Sequence, residues 1–205
     1  MAAYRWSESD GRFRDQAGRY VSESAVRRVV DDIANHASER AAAASTRLLA
    51  GELSLASWQA EMGQVIKHSH VSTSMLAHGG AASMTPAKWG AAGNRIRGEY
   101  GYLREFANAI ADGSQPLTSG LTARAAQYGQ ASRVTYERER ARGQQERGYL
   151  YERNVLSPAE HCADCIAQTA RGWAPIGALS PIGSRACRSN DRCRLEFSRS
   201  REMAA

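Results

Sequence analysis

The chain has 205 residues and a formal net charge of +6. No stretch approaches the ~18 apolar residues of a membrane-spanning helix, and residues 1–10 lack the apolar segment of a secretory signal. These features argue against membrane-spanning and exported proteins, so we expect a chain that stays in a cytoplasm and has no membrane partner. Alanine makes up much of the 42% hydrophobic content, and only three phenylalanines occur. The composition therefore predicts a thin core that is completed against partner chains.

Residues 1–21 predict an extended N-terminal arm. Gly11-Arg12-Phe13 and Gly18-Arg19-Tyr20 repeat a glycine–arginine–aromatic step at a spacing of seven residues. We expect the aromatic side chains of this arm to dock on another surface. A short hairpin is the alternative for the same residues.

Residues 22–153 predict a helical body. Four segments have apolar residues at helical spacing, and each is preceded by a hydroxyl residue that can cap a helix N-terminus. These capping residues are Ser22, Ser54, Thr85 and Thr118. The third segment also carries four glycines, which predict close packing against a neighbouring helix or a bend. They are Gly90, Gly93, Gly98 and Gly101.

The fourth helical segment runs into a charged stretch, residues 133–153. Glutamate and arginine alternate there at spacings of three or four, a pattern typical of exposed helices. We therefore predict a solvated helical face, followed by a short strand near residues 149–156. The histidines of the body show no arrangement that indicates catalysis, and we expect them to be surface or packing residues. They are His36, His68, His70 and His78.

All four cysteines lie in residues 154–205, which predict a small C-terminal knuckle. The pattern is Cys162-x2-Cys165, then 21 residues, then Cys187-x5-Cys193. Where thiols stay reduced, clustered cysteines indicate a metal before a disulfide. Four thiolates complete the tetrahedral shell of a structural zinc ion. We therefore predict one Zn²⁺ held by Cys162, Cys165, Cys187 and Cys193, in a mainly α fold with an extended N-terminal arm and a C-terminal zinc knuckle.

Other interpretations of the cysteines stay open. A redox Cys-x2-Cys motif would need a surrounding βαβ pattern, which the sequence lacks, and disulfides or unused cysteines are further alternatives. His161 could replace Cys193 as a ligand, although a place outside the shell is expected, and Asp191 is a weaker candidate. No residue pattern beside the cysteines indicates a catalytic zinc with an open position for water.

The knuckle is also strongly basic. Six arginines and two acidic residues between Ser184 and Arg201 leave a net charge of +4 in that segment. Such a face predicts contact with nucleic acid, for example packaged DNA, or with an acidic patch on a partner protein. The arginines are Arg185, Arg188, Arg192, Arg194, Arg199 and Arg201.

The segment from Ala159 to Phe197 resembles the C-terminal part of phage minor head proteins, the head-morphogenesis family related to the Mu-like F protein. The resemblance covers about a fifth of the chain. Asp191 stands where a cysteine often occurs in that family, and Ser180 separates Leu179 from Pro181. The matching residues are His161-Cys162, Cys165, Gly172-Trp173, Leu179, Pro181, Gly183, Cys187, Asn190, Cys193 and Leu195-Glu196. The resemblance implies a capsid component near the portal vertex without enzyme activity.

We therefore expect a non-enzymatic structural component of a tailed-phage virion, such as a minor head, portal-vertex or neck protein. Its expected partners are other phage structural proteins (capsid, portal or neck) and further copies of itself. Its expected location is the virion, and the host cytoplasm during assembly. The alternative is a zinc-containing nucleic-acid-binding protein involved in packaging or regulation. A zinc-stapled nuclease is a third hypothesis, and it would need a catalytic histidine beside the metal.

Overall fold

The structure is a computed structural model that describes residues 4–7, 9 and 11–200. The chain is mainly α-helical, as the sequence predicts. Four long helices form the body: α1 (Glu23–Leu49), α2 (Leu55–Ala77), α3 (Pro86–Ala111) and α4 (Ser119–Glu146). A 3₁₀ turn, Ala81–Ser83, lies between α2 and α3. The helix α4 packs along both α1 and α2, and α3 packs mainly on α2.

Three of the four predicted caps form their hydrogen bonds. A side-chain oxygen accepts a backbone N–H three residues later at Ser22, Ser54 and Thr85, which satisfies one of the free donors of each helix start. Thr118 precedes α4 without such a bond. Gly51 follows α1 with φ +73°, a left-handed conformation that glycine adopts without steric cost. Local sequence signals therefore place the helix boundaries correctly.

The main core lies between the four helices and is built around Trp58. Its indole is fully buried, lies edge-on to Phe106 at 5.3 Å and donates from Nε1 to Ser45 Oγ at 3.0 Å. Met62 and Leu121 complete the centre of this cluster. The helix α1 contributes mostly alanines, so its backbone lies close to its neighbours. The body contains few large apolar residues, and its core is filled because the helices lie close together.

The charged end of α4 is not the solvated face that its pattern predicts. Arg133, Glu137 and Arg140 are each at most 6% exposed. They face α1, where Arg133 Nε lies 2.7 Å from Asp31 Oδ1. Two more ion pairs join the same helices, Arg27 with Glu137 and Glu23 with Arg140. Because α1 and α4 are antiparallel, acidic and basic residues at helical spacing on both helices meet in register.

The N-terminal segment forms a small antiparallel sheet rather than an extended arm. Its strands are β1 (Arg5–Ser7), β2 (Arg12–Arg14) and β3 (Tyr20–Val21), with β2 in the centre. Phe13 is 4% exposed and packs with residues of α1, α2 and α4. The Trp6 amide donates to Gly79 O at 3.1 Å, just after α2. The hairpin alternative is therefore closer to the structure. Of the two aromatic residues in the repeat, Phe13 docks within the same chain, whereas Tyr20 is 60% exposed.

The C-terminal knuckle contains a second three-stranded antiparallel sheet, whose first strand begins at Tyr151, three residues before the boundary that the sequence suggests. Its strands are β4 (Tyr151–Val155), β5 (Ala174–Pro175) and β6 (Arg194–Ser198), with β4 in the centre. A short helix, α5 (Ala163–Ala170), follows β4 and packs on it. A 3₁₀ turn, Arg188–Asn190, precedes β6. The sequence analysis predicts a strand near β4 and misses β5 and β6. The strand β5 has only two residues, too few to show a period of two.

The glycines of α3 do not lie at a helix contact within the chain. A Cβ built on any of the four would meet nothing within 4 Å. Within the described chain, the prediction of close helix packing is therefore wrong for these four glycines. They are Gly90, Gly93, Gly98 and Gly101. The close approach occurs instead at Gly129 of α4, where a Cβ would lie 2.7 Å from Ala34 O. In the part of the chain that the structure describes, no helix is long and apolar enough to cross a membrane.

Candidate metal centre

The first two cysteines lie at the start of α5. Cys162 occupies the N-cap position and Cys165 lies in the first turn, with their sulfurs 3.4 Å apart. The pKa of the Cys162 thiol is lowered, chiefly by the backbone N–H of Cys165 beside it, although burial acts in the opposite direction. Free N–H groups at a helix N-terminus favour negative charge. The Cys-x2-Cys spacing therefore places two sulfurs side by side where thiolates are stabilised.

The second pair of cysteines comes from the segment before β6 and meets the first pair at Cys165. Cys165 Sγ lies 3.6 Å from Cys187 Sγ. Two overlapping trios result, in each of which all ligand atoms lie within 4.8 Å of one another. One trio is Cys162, Cys165 and Cys187, and the other is Cys165, Asp191 and Cys193. Sulfurs around a tetrahedral zinc ion stand about 3.8 Å apart at a Zn–S distance of ~2.3 Å.

The thiols of the second pair are held in a setting that disfavours charge without a cation. Burial, followed by the neighbouring Cys165 sulfur, raises the pKa of Cys193 to about 12. Burial also raises the pKa of Cys187. A bound divalent cation reverses this preference, because it stabilises every thiolate that contacts it. The crowded sulfurs are thus suited to a soft metal ion rather than to free, reactive thiolates.

Asp191 lies directly beside the sulfurs and is 2% exposed. Its Oδ1 accepts the Cys193 amide at 3.1 Å and lies 3.9 Å from Cys165 Sγ. Its Oδ2 accepts the Gly183 amide at 3.2 Å. The carboxylate therefore ties the turn before β6 to the loop at Gly183, and it also stands within reach of a metal. Sequence reasoning treated it only as a weak ligand candidate and missed this positioning role.

Arg185 is buried beneath the cysteines. Its Nη1 donates to Asn154 Oδ1 at 2.8 Å and lies 3.6 Å from Asp191 Oδ2. Its Nε and Nη2 donate to Ser180 O. A buried guanidinium is stable only when its donors are satisfied, as they are here. Arg185 thus neutralises Asp191 and anchors the loop that separates the two cysteine pairs.

The inward side chains of β4 hold that loop against the sheet. Glu152 Oε1 accepts the Gly177 and Leu179 amides at 2.9 and 3.0 Å. Asn154 Nδ2 donates to Thr169 Oγ1 at 2.7 Å, on α5. Both residues are at most 3% exposed. Their spacing of two in a strand is the only sequence signal that could have revealed them.

An apolar shell surrounds the buried cysteines. Cys165 and Cys193 pack with Ala174, Leu179, Ile182 and Leu195 in a cluster separate from the helical core. This cluster is small for an independent core, and subdomains of this size usually need a metal or a disulfide. The cysteines are not joined by disulfides.

Among the described residues, the structure brings together all four cysteines that the sequence indicated. His161 belongs to neither trio, as expected. The six arginines predicted to form one basic face are dispersed. Arg185 is buried, whereas Arg188 and Arg192 are exposed and border two different cavities. Arg194 pairs with Glu196, Arg199 lies over the Tyr149 ring, and Arg201 lies outside the described residues.

Two of the four histidines of the body are core residues. His70 Nδ1 lies 2.7 Å from Thr135 Oγ1, which joins α2 to α4. His78 Nε2 lies 3.1 Å from Glu139 Oε2. Burial raises the pKa of Glu139, but the hydrogen bond from His78 and the nearby Arg142 outweigh it, so the net shift is downward. Both histidines are almost fully buried, in packing positions.

The fold and the site define a mainly helical protein with a cysteine-rich C-terminal subdomain that can hold a metal ion. No family model, curated protein or solved structure matches the chain. The interpretation of the site therefore depends on its own geometry and on the sequence motif that surrounds it.

Proposed function

We propose that the four cysteines hold one structural zinc ion, and that the chain is a non-enzymatic structural component of a tailed-phage virion. The observation that carries the first part is the meeting at Cys165 of sulfurs from two segments, Cys162–Cys165 and Cys187–Cys193. Four thiolates close the coordination shell of zinc and leave no position for a reacting water. The metal then stabilises the knuckle and supplies no chemistry to a substrate.

The virion role is supported by the motif around the cysteines. The segment that resembles phage minor head proteins is the one that folds around the sulfurs, and its Leu179 and Gly183 belong to the loop held by Glu152 and Asp191. The resemblance is thus carried by residues that build one subdomain. Minor head, portal-vertex and neck positions all fit this proposal, with the virion and the host cytoplasm during assembly as locations.

Self-association and contact with other phage proteins are supported by the outer side of α3. The four glycines of this helix border open space, and Trp89 and Tyr102 beside them are 41% and 63% exposed. Exposed aromatic residues are enriched where proteins meet. A second copy of the chain, or a capsid, portal or neck protein, would bury this side.

The virion assignment is tested by a mass-spectrometric inventory of purified particles, combined with zinc analysis of the isolated chain. We expect the chain in particles at a fixed copy number and one zinc per chain. A non-structural protein of the same phage serves as the control for contamination. Absence of the chain from particles would refute the virion role, whereas absence of zinc would refute only the metal assignment.

The ligand set is tested by cobalt substitution in two variants, Cys193→Ser and Asp191→Asn. The sulfur-to-cobalt charge-transfer band grows with the number of thiolates, so Cys193→Ser should lower it by about a quarter. Asp191→Asn should keep the band and weaken binding about tenfold, because outer residues tune affinity. An unchanged band in Cys193→Ser, together with a loss of affinity far beyond tenfold in Asp191→Asn, would make Asp191 the fourth ligand instead.

A further inference from the structure

A cavity of about 580 Å³ lies between α3, α4 and the C-terminal knuckle, away from the sulfurs. Arginines dominate its charged lining. Five guanidinium groups and a single carboxylate face it: Arg95, Arg124, Arg138, Arg185, Arg188 and Glu99. Only Arg185 is committed to the buried network around the cysteines. The cavity therefore has a large excess of positive charge that the chain itself does not neutralise.

Two of these arginines share the only carboxylate. Arg95 Nε lies 3.5 Å from Glu99 Oε1, at ion-pair distance, and has no hydrogen-bond partner among the described residues. Arg138 donates from Nε to Ile182 O at 3.1 Å. Burial, and then the Arg95 guanidinium, lower the pKa of Arg138, although Glu99 opposes this shift. Like charges are thus held close together, an arrangement that a bound anion would stabilise.

The metal centre fixes one wall of the cavity. Arg188 directly follows Cys187 and has φ +48°, the only positive value at a residue other than glycine in the described chain. Strained backbone conformations of this kind persist where the surroundings enforce them, and they are common at functional sites. Backbone hydrogen bonds from Arg188 N to Arg185 O and from Asp191 N to Arg188 O lie on either side of this strained residue, beside the cysteine cluster.

An exposed aromatic residue stands at the same cavity. Tyr102 of α3 lines it and is 63% exposed. Guanidinium groups bind phosphate through paired hydrogen bonds, and nearby tyrosine rings provide surfaces on which bases stack. A nucleic acid offers a partner to both kinds of group, phosphates to the guanidinium groups and bases to the tyrosine ring.

We propose that this cavity binds the phosphodiester backbone of a nucleic acid, with Arg124, Arg138 and Arg188 facing the phosphates. The site differs from the basic knuckle face that the sequence suggests, because two of these three arginines belong to the helical body. The proposal goes beyond the structural role proposed above and does not depend on the chain being part of a virion.

The test is fluorescence anisotropy of the full, zinc-loaded chain with labelled 20-nucleotide DNA, single-stranded in one arm and duplex in the other. The test variant is the double substitution Arg124→Gln/Arg188→Gln, at two exposed cavity positions. The matched control is Arg28→Gln/Arg104→Gln, which removes the same charge from exposed positions of α1 and α3 outside the cavity. Circular dichroism checks that all variants are folded.

We expect the cavity variant to bind DNA about tenfold more weakly near 0.1 M salt, and the control to stay within about threefold. The dependence of log K on log salt should also become shallower by about two in the cavity variant.

Tighter binding in one arm identifies single strand or duplex as the source of the phosphates. Equal losses in both variants, no binding by the original chain, or complete displacement of DNA by polyglutamate at equal charge would overturn the proposal. If the double variant does not fold, Arg188→Gln alone against Arg28→Gln gives the same comparison.

Discussion

Gly129 of α4 and Ser38 of α1 approach so closely that a Cβ on the glycine would lie 2.3 Å from the Ser38 amide nitrogen. Ser38 Oγ also crosses between the helices and donates to Ala126 O at 2.8 Å. The largest helix contact of the body therefore depends on the absence of one side chain.

Gly129→Ala should lower the free energy of unfolding by about 2 kcal/mol or more, because the new methyl group meets backbone atoms that cannot move aside. Gly98→Ala is the matched control, since a Cβ there meets open space on α3. That substitution should raise the free energy of unfolding by about 0.5–1 kcal/mol through helix propensity alone. Urea denaturation measures both. Equal effects of the two substitutions would show that α1 and α4 do not pack as described.

The Arg27–Glu137 ion pair between α1 and α4 should be energetically coupled. Glu137 is 6% exposed and the Arg27 side chain is 20% exposed, so removal of either charge leaves its partner poorly solvated. We expect a coupling free energy of about 2 kcal/mol in the double-mutant cycle Arg27→Ala and Glu137→Ala. The exposed pair Arg47–Glu61, whose Nη1 and Oε1 lie 3.1 Å apart, should give less than about 1 kcal/mol. Similar coupling in the two cycles would place Glu137 in solvent.

Acid should destabilise the body through His70. Burial, together with Arg95, lowers the pKa of His70 to about 3. Because the unfolded imidazole titrates near pH 6.5, the unfolded state takes up more protons, and this contribution to stability is present above that pH and lost as pH falls toward 3. It amounts to about 2 kcal/mol between pH 7 and 5.

The measurement is the pH dependence of urea unfolding for the original chain, His70→Gln and the control His68→Gln. Only His70→Gln should lose this part of the pH dependence of the unfolding free energy, because His68 is exposed on the same helix. A slope that is unchanged in His70→Gln would show that the histidine is protonated in the folded protein.

Cys165→Ser should unfold the C-terminal knuckle and leave the helical body intact. Cys165 belongs to both trios of possible ligands, and the apolar cluster around it is separate from the helical core. Limited proteolysis of the zinc-loaded chain should then cut within residues 154–200 and spare residues 22–146. Ala163→Ser, an exposed change in the same turn, is the control and should behave like the original chain. Protection of the knuckle in the cysteine variant would argue against a structural metal.

The sequence by itself determined the helices and the candidate ligands. Capping hydroxyls at Ser22, Ser54 and Thr85 act within four residues, and so does the Cys162–Cys165 pair at the start of α5. Signals of this kind are local, because a capping bond or a two-residue gap needs no distant partner.

Only the tertiary structure decided which charged and small residues are buried. The alternation of glutamate and arginine in α4 is identical for an exposed helix and for one that meets complementary charges, and α1 supplies those charges through Asp31 and Arg27. Likewise, Gly98 and Gly129 have the same local propensity, but only Gly129 has a second helix against it. Burial depends on partners that are about 90 to 110 residues away along the chain, and local patterns do not specify them.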